Sequence, residues 1–221
     1  MKTVILAGGE LRPTNHLKQL ISDAGLVLAA DSGLRHARAL GLQPAAIVGD
    51  FDSVEQRHLA AYPNLPRFEH PADKDQLDLE LTVDLALERG ATELVIVGAF
   101  GSRLDQSLAC LMIAARLRRD LMIPVSLHDG ERDAYPLAAG NTLLLDLQTG
   151  TVFSLLALID SRCSVSGARY NLTNAPLAFG VGLGLANRAR NGPRVEVHEG
   201  LVAVIVERTL GTSEVSLSAR P

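Results

Sequence analysis

With 221 residues, 47% of them apolar and 21% charged, the chain can bury one large core or two smaller ones and is too apolar to stay disordered. A formal net charge of −4 and the lack of a Lys/Arg cluster exclude a protein that holds nucleic acid by neutralising many phosphates. The longest apolar run, Leu143 to Ile159, is interrupted by Asp146, Gln148, Thr149 and Gly150, and Val4 to Ala7 is too short for a signal peptide, so we expect a cytoplasmic protein with a small-molecule ligand and no membrane partner.

From the start to about residue 130, short apolar runs alternate with amphipathic stretches, as in βα units around a parallel sheet. Val4–Ala7, Val27–Ala30, Ala45–Gly49 and Leu94–Gly98 read as buried strands. Leu34–Leu40 and Gln76–Arg89 read as helices closed by Gly41 and Gly90. In such a sheet ligands bind at the carboxyl ends of the strands. After Pro136 the pattern turns to β-type alternation over Thr142–Leu147, Thr151–Leu158, Ser164–Tyr170, Arg194–His198 and Leu201–Glu207, with Glu199-Gly200 as a two-residue hairpin turn. The expected architecture is α/β: a three-layer α/β/α domain with a mainly parallel sheet over residues 1–135, then a smaller all-β sandwich over 136–221.

Cys110 and Cys163 stand far apart in apolar surroundings, and no HxxxH or HExxH spacing occurs, so both thiols read as small buried hydrophobes and zinc chemistry is not indicated.

The strongest local signal is Gly49-Asp50-Phe51-Asp52-Ser53 directly after a strand. In extended backbone Asp50 and Asp52 project to the same side. Two carboxylates about 4 Å apart repel by roughly 4 kcal/mol at an effective dielectric near 20, which favours a shared cation or a raised pKa on one of them. The alternative is that Asp50 caps a turn while Ser53 and Gln56 form a capping box for the next helix. A second acidic group, Asp73-Lys74-Asp75-Gln76-Leu77-Asp78-Leu79-Glu80, opens a helix, where Asp75 and Asp78 serve either as ligands or as ordinary N-terminal carboxylates. Lys74 there either meets a phosphate or balances charge. A third loop, Gly98-Ala99-Phe100-Gly101-Ser102-Arg103-Leu104-Asp105-Gln106, combines close-approach glycines with an arginine suited to phosphate oxygens, and Asp105 is a ligand or a cap. The Gly8-Gly9 and Asp31-Ser32-Gly33 turns lie on the same edge. Three acidic groups and an arginine at one edge suit metal-assisted phosphoryl-type transfer. No GxxxxGK[ST] loop is present, so a P-loop enzyme is not supported.

The order and spacing of Asp31-Ser32-Gly33, Pro44 through Ser53, Lys74 through Glu80 and Gly98 through Asp105 resemble the thiamine pyrophosphokinase (thiamine diphosphokinase) family over residues 29–112. The likeness continues through Phe153–Leu156, Gly167–Leu172 and Gly184–Asn187. The resemblance implies a homodimer that transfers the pyrophosphoryl group of ATP to thiamine with Mg²⁺, with thiamine between the catalytic domain of one chain and the sandwich of the other. It places Mg²⁺ on Asp50, Asp52 and Asp75, with Asp78, Asp105 and Arg103 completing the catalytic group. It places the nucleotide on Asp31, Gly33, Ser53, Lys74, Gly101, Ser102 and Arg103, and thiamine on Asp78, Asp105, Gln106, Ala186 and Asn187.

Three positions depart from the family pattern: Leu77 replaces a usual Thr, Gln106 a frequent His, and Ala186 a Ser. Each lost polar contact costs about 0.5–1.5 kcal/mol. Phe153, Tyr170 and Phe179 are the candidate stacking partners for thiamine, each with core packing as the alternative. The rival readings are pyrophosphoryl transfer to another hydroxymethyl heterocycle such as a pterin, and a non-catalytic nucleotide- or thiamine-binding protein.

Overall fold

The computed structural model of the chain describes residues 1–71, 73, 75–101 and 103–208; Lys74 and Ser102, both expected at the nucleotide, lie outside the described residues. The chain forms two compact units, one of Met1–Ile113 with Leu127–Asp129, the other of Ala114–Ser126 with the chain from Gly130 on. No described helix is long and apolar enough to cross a membrane.

In the first unit, β1 (Lys2–Leu6), β2 (Leu26–Ala30), β3 (Ala46–Gly49), β4 (Arg67–Glu69) and β5 (Glu93–Val97) are parallel, in the order β5-β1-β2-β3-β4. All four expected strands are present. The short β4 escaped because its three residues are all exposed and carry no apolar pattern. Strands covered on both faces read as unbroken apolar runs, which is why Val4-Ile5-Leu6 and Leu94-Val95-Ile96-Val97 were legible.

One sheet face packs Val4, Leu6, Ala29, Ile47 and Val95 against Leu17 of α1 (Asn15–Leu20), Ala37 and Leu40 of α2 (Arg35–Leu40) and Leu59 of α3 (Gln56–Ala60). The other face receives α4 (Asp78–Glu88), whose buried Leu79, Thr82, Val83 and Ala86 recur at helical spacing and which packs on β1, β2 and β3. Each fully buried Leu or Ile contributes roughly 1.5–3 kcal/mol. Gly41 and Gly90 follow α2 and α4 in left-handed conformation, as expected. The chain steps outward from β1 to β4 and then returns to place β5 on the other side of β1. This reversal opens a crevice beyond the carboxyl ends of β1 and β5. α5 (Leu104–Leu121) follows β5, and β6 (Val125–His128) lies beside β5.

The second unit is an antiparallel sandwich. One sheet orders β7 (Arg132–Ala138), β13 (Leu201–Glu207) and β9 (Val152–Ala157); the other orders β11 (Leu172–Leu177), β10 (Ser161–Ala168), β12 (Asn187–Glu199) and β8 (Thr142–Leu144). Leu137, Phe153, Leu155, Val202 and Val204 of the first sheet share a core with Leu143, Cys163, Val165, Leu177 and Val195 of the second. Strand β9 alternates buried and half-buried residues, the signature that made it legible.

Two expectations fail here. The boundary expected between residues 135 and 136 falls inside β7, which pairs along its whole length with β13, from Arg132↔Glu207 to Ala138↔Leu201. Nothing local announces so distant a pairing. Glu199-Gly200 is not a hairpin turn either. The last part of β12 pairs with β10 and β8, whereas β13 pairs with β7 and β9, so the turn carries the chain from one sheet to the other.

Candidate active site

Asp31 follows β2, Asp50 follows β3, and Asp78 opens α4. The register Ala30↔Val48 brings the ends of β2 and β3 level, and α4 packs on both strands. Between them Gly49 leaves the necessary room: a Cβ there would lie 3.0 Å from Asp31 Cβ and 3.2 Å from Asp78 Oδ1. One carboxylate oxygen from each of Asp31, Asp50 and Asp78 falls within 4.8 Å of the others. Asp31 is buried; its Oδ2 accepts a hydrogen bond from the Ser53 hydroxyl, while its buried Oδ1 has no partner among the described residues.

Leaving a buried carboxylate oxygen bare is costly, as is holding three carboxylates so close, and the N-terminus of α4 offsets only part of that repulsion. A hard cation bound by oxygens removes both penalties, so the donor set fits Mg²⁺. Asp31 at φ +44° and Phe51 at φ +64° hold backbone conformations that side chains avoid, a strain that collects at functional sites.

The cluster overlaps the expected metal set of Asp50, Asp52 and Asp75 at Asp50 and adds Asp31 and Asp78 to it. Only Asp50 of the three is in it; Asp52 and Asp75 are exposed. The left-handed Phe51 ends the extended backbone on which the parallel projection of Asp50 and Asp52 depended, and the Asp52 N–H instead donates to Asp50 Oδ1 at 3.1 Å. Asp52 remains close in charge: the Asp50 carboxylate, with smaller contributions from Asp31 and Asp78, pushes its pKa up. Asp31, expected among the nucleotide contacts, is the missed cluster member. Its signal was available, since Asp31 follows a buried strand just as Asp50 does. The Ser53/Gln56 capping box does not form either. Glu55 occupies the N-cap of α3 with no side-chain cap, because the Ser53 hydroxyl is turned to Asp31.

A cavity of about 390 Å³ opens beside the cluster, lined by the loops after β1, β2 and β5 and by the start of α4. Asp31, Ser53, Asp78, Gly101, Arg103 and Gln106, all among the expected site residues, line it. Gly33 is buried beneath it, where a Cβ would meet Leu6 O at 2.0 Å. Arg103 and Asp105 pair at 2.5 Å, and this contact holds the Asp105 carboxyl below its ordinary range. Asp105 is therefore apart from the acidic cluster. Ser107, which the sequence did not single out, fixes this loop by accepting from Gly101 N–H and donating to Arg103 O, both at 3.1 Å.

Leu77 also lines the cavity, 45% exposed, at the N-cap of α4. Glu80 accepts from the Leu77 N–H at 3.2 Å, which is half of a capping box; leucine has no acceptor for the other half. Cys110 is only half-buried in the cavity wall, unlike the fully buried Cys163, and burial lifts both thiols to about 11.

In the second unit Asn187 is buried and its side-chain amide is spent on backbone. Its Oδ1 accepts from the N–H of Tyr170 and Arg188, and its Nδ2 donates to Tyr170 O. Ala186 sits at φ +55° with its N–H on Ser154 Oγ at 3.0 Å. Phe153 is a core residue, whereas Tyr170 and Phe179 are exposed and so do not pack in the core.

Residues 17–125 match the family model described as thiamin pyrophosphokinase, catalytic domain, and residues 141–202 match the one described as thiamin pyrophosphokinase, vitamin B1 binding domain. The chain belongs to the thiamin pyrophosphokinase family. A thiamine pyrophosphokinase of Bacillus subtilis (strain 168) is 27% identical over 194 residues, spanning 85% of this chain and 89% of that protein. The crystal structure of thiamine pyrophosphokinase from Bacillus subtilis has the same fold, with a TM-score of 0.83 at 23% identity over 95% of this chain and all of that one (100%). Thiamin pyrophosphokinase from Candida albicans matches at a TM-score of 0.77 and 14% identity, covering 94% of this chain and 90% of the other. In thiamin pyrophosphokinase terms, Asp31, Asp50 and Asp78 fall in the catalytic-domain segment, and Ala186 and Asn187 in the vitamin B1 binding segment.

Proposed function

We propose that this thiamin pyrophosphokinase family member transfers the pyrophosphoryl group of ATP to the hydroxyl of thiamine, giving thiamine diphosphate and AMP. The observation that carries the reading is the convergence of Asp31, Asp50 and Asp78, two of which line the cavity, within the segment matched by the catalytic-domain model. The thiamine oxygen bonds to the β-phosphorus and the bond from that phosphorus to the α-bridging oxygen breaks. AMP leaves with the electron pair, and the hydroxyl proton goes to a cavity carboxylate. The reaction asks the protein for positioning and charge neutralisation rather than covalent work.

Asp31, Asp50 and Asp78 would hold Mg²⁺, with Asp52 adding its charge from the rim. Bound there, the ion would neutralise phosphate oxygens. Asp31 has a buried oxygen ready for it. Arg103 and Gly101, in the loop after β5, face the nucleotide; Arg103 exchanges Asp105 for phosphate when ATP enters. The segment from residue 136 on contributes thiamine contacts, among which we retain Ala186 and Asn187. A homodimer belongs to the same proposal, supported by the exposed Phe179, Val181, Leu183 and Leu185 on one short segment, which a monomer would leave in water. We place the protein in the cytoplasm, where ATP is supplied.

The test follows AMP release from ATP and Mg²⁺ with thiamine present or absent, identifying the second product by mass. Thiamine-dependent AMP together with thiamine diphosphate is expected. AMP that appears only with a pterin alcohol would replace the acceptor, and nucleotide binding with no transfer to any alcohol would remove the enzyme reading.

A further inference from the structure

Arg35 has no role in the account so far. It stands at the start of α2, in the wall of the same cavity, and one of its nitrogens, Nη2, donates to Gly8 O at 2.6 Å and to Gly9 O at 2.8 Å. A guanidinium nitrogen of this kind carries two hydrogens, so both are used. The hydrogens on Nη1 and Nε meet no acceptor among the described residues, and Arg35 forms no ion pair among them. The cavity's other arginine, Arg103, is by contrast already neutralised by Asp105.

The glycine loop explains why a cation is placed here. The carbonyls of Gly8 and Gly9 lie at the cavity wall, where bare oxygens would repel an incoming anion. Arg35 occupies both, and His36 adds a second donor to Gly9 O through Nε2 at 2.8 Å. Gly9 is pressed against the loop after β5, with no room for a side chain, since a Cβ on it would lie 2.3 Å from Phe100 O. Two carbonyl dipoles at the wall are thus covered by a guanidinium whose Nη1 and Nε have no partner among the described residues, in the cavity that Asp31 and Asp78 also line.

We infer that Arg35 binds the polyphosphate of the nucleotide directly, through Nη1 and Nε, from the glycine-loop side of the cavity. The inference rests on the ATP reading above. Phosphate oxygens suit a guanidinium that offers two nitrogens, and the cost of orienting this one is already met by its two carbonyl bonds. Lysine cannot reproduce the role, because an ammonium that satisfies the two carbonyls keeps one donor.

The experiment measures binding of ATP, inorganic triphosphate and adenosine by calorimetry in EDTA, for the wild-type chain and for Arg35→Gln and Arg35→Lys, with thermal melts as a folding check. Loss of charge-assisted hydrogen bonds should weaken ATP and triphosphate about 10- to 100-fold in Arg35→Gln while adenosine changes less than about twofold, with Arg35→Lys in between. In turnover, KM for ATP should rise far more than KM for thiamine. Equal weakening of all three ligands would show that Arg35 only braces the loop, and unchanged triphosphate affinity would equally overturn the inference. Wild-type protein that binds triphosphate in an Arg35-dependent way but makes no AMP would sink the transfer reading and keep the Arg35 assignment. A wild-type enzyme that turns over while Arg35→Gln binds triphosphate normally would do the reverse.

Discussion

Two buried polar clusters, one in each unit, are treated in opposite ways. In the second, the buried Arg118 donates to Asn141 Oδ1 at 2.6 Å and to Met122 O at 3.1 Å, Asn141 Oδ1 also takes the Ala138 N–H, and Asn187 closes on the backbone of Tyr170, so these groups are satisfied within the fold, while Arg208 Nη2 is left without a partner among the described residues. In the first, Asp31 keeps a buried oxygen bare, three carboxylates converge, and two residues hold left-handed backbone around them. Polar groups satisfied internally mark architecture. Groups left wanting a partner mark the place where a ligand completes the structure.

The sharpest way to break this contrast is to neutralise one acid. Asp50→Asn should lower kcat by about 10²–10³-fold, by analogy with the removal of one transition-state-stabilising group, while the melting temperature holds or rises because like-charge repulsion is relieved. A large fall in melting temperature would instead make Asp50 a structural residue. The matching change in the second unit is Asn141→Ala, which strands a buried guanidinium and a backbone N–H. Urea unfolding should then show a loss of about 3 kcal/mol, with kcat of the folded enzyme unchanged; an undiminished stability would remove the distinction between the units.

Two smaller effects refine the comparison. Leu77→Thr supplies the missing half of the capping box on α4 and should stabilise by about 1 kcal/mol. No gain in a thermal melt would mean that the Leu77 side chain makes packing contacts that offset the cap. The last effect concerns His36, whose burial lowers its pKa below the ordinary 6.5. The unfolded chain then binds a proton at this site before the folded one does. The stability linked to the neutral ring is therefore present above pH 6.5 and lost as pH falls through the lowered folded value. Melting temperature should drop between pH 6.5 and 5, and less so in His36→Gln, which keeps a donor for Gly9 O; identical profiles would place the titration elsewhere.

Much of the fold was legible because both sheets advertise themselves locally. The parallel strands are continuous apolar runs, and β9 alternates with period two. Gly41 and Gly90 mark helix ends without reference to anything distant. The edge carrying the site was legible too, since Asp31, Asp50 and Arg103 each lie in a loop just after a buried strand. What the sequence did not show was which of these carboxylates lie together. Asp52 was grouped with Asp50 on the assumption of extended backbone, and the left-handed Phe51 removes that assumption. Asp75 was grouped with them through the family resemblance, and it is Asp78, three residues later and inside α4, whose carboxylate meets those of Asp31 and Asp50. Ser53 looked like a cap and serves Asp31, 22 residues earlier in the chain.

The sequence alone determined the main buried strands and the helices closed by Gly41 and Gly90, the division into an α/β part and a β part, the acidic strand-end edge and the family, because apolar periodicity, glycine caps and motif spacing are local properties. Only the tertiary structure decided which carboxylates meet, where β12 hands the chain from one sheet to the other, and which polar atoms remain without partners. Those outcomes depend on the register of β2 against β3, the seating of α4 on the sheet and the backbone angles at Asp31 and Phe51. These are set by contacts between residues far apart in the chain, where no local pattern records them.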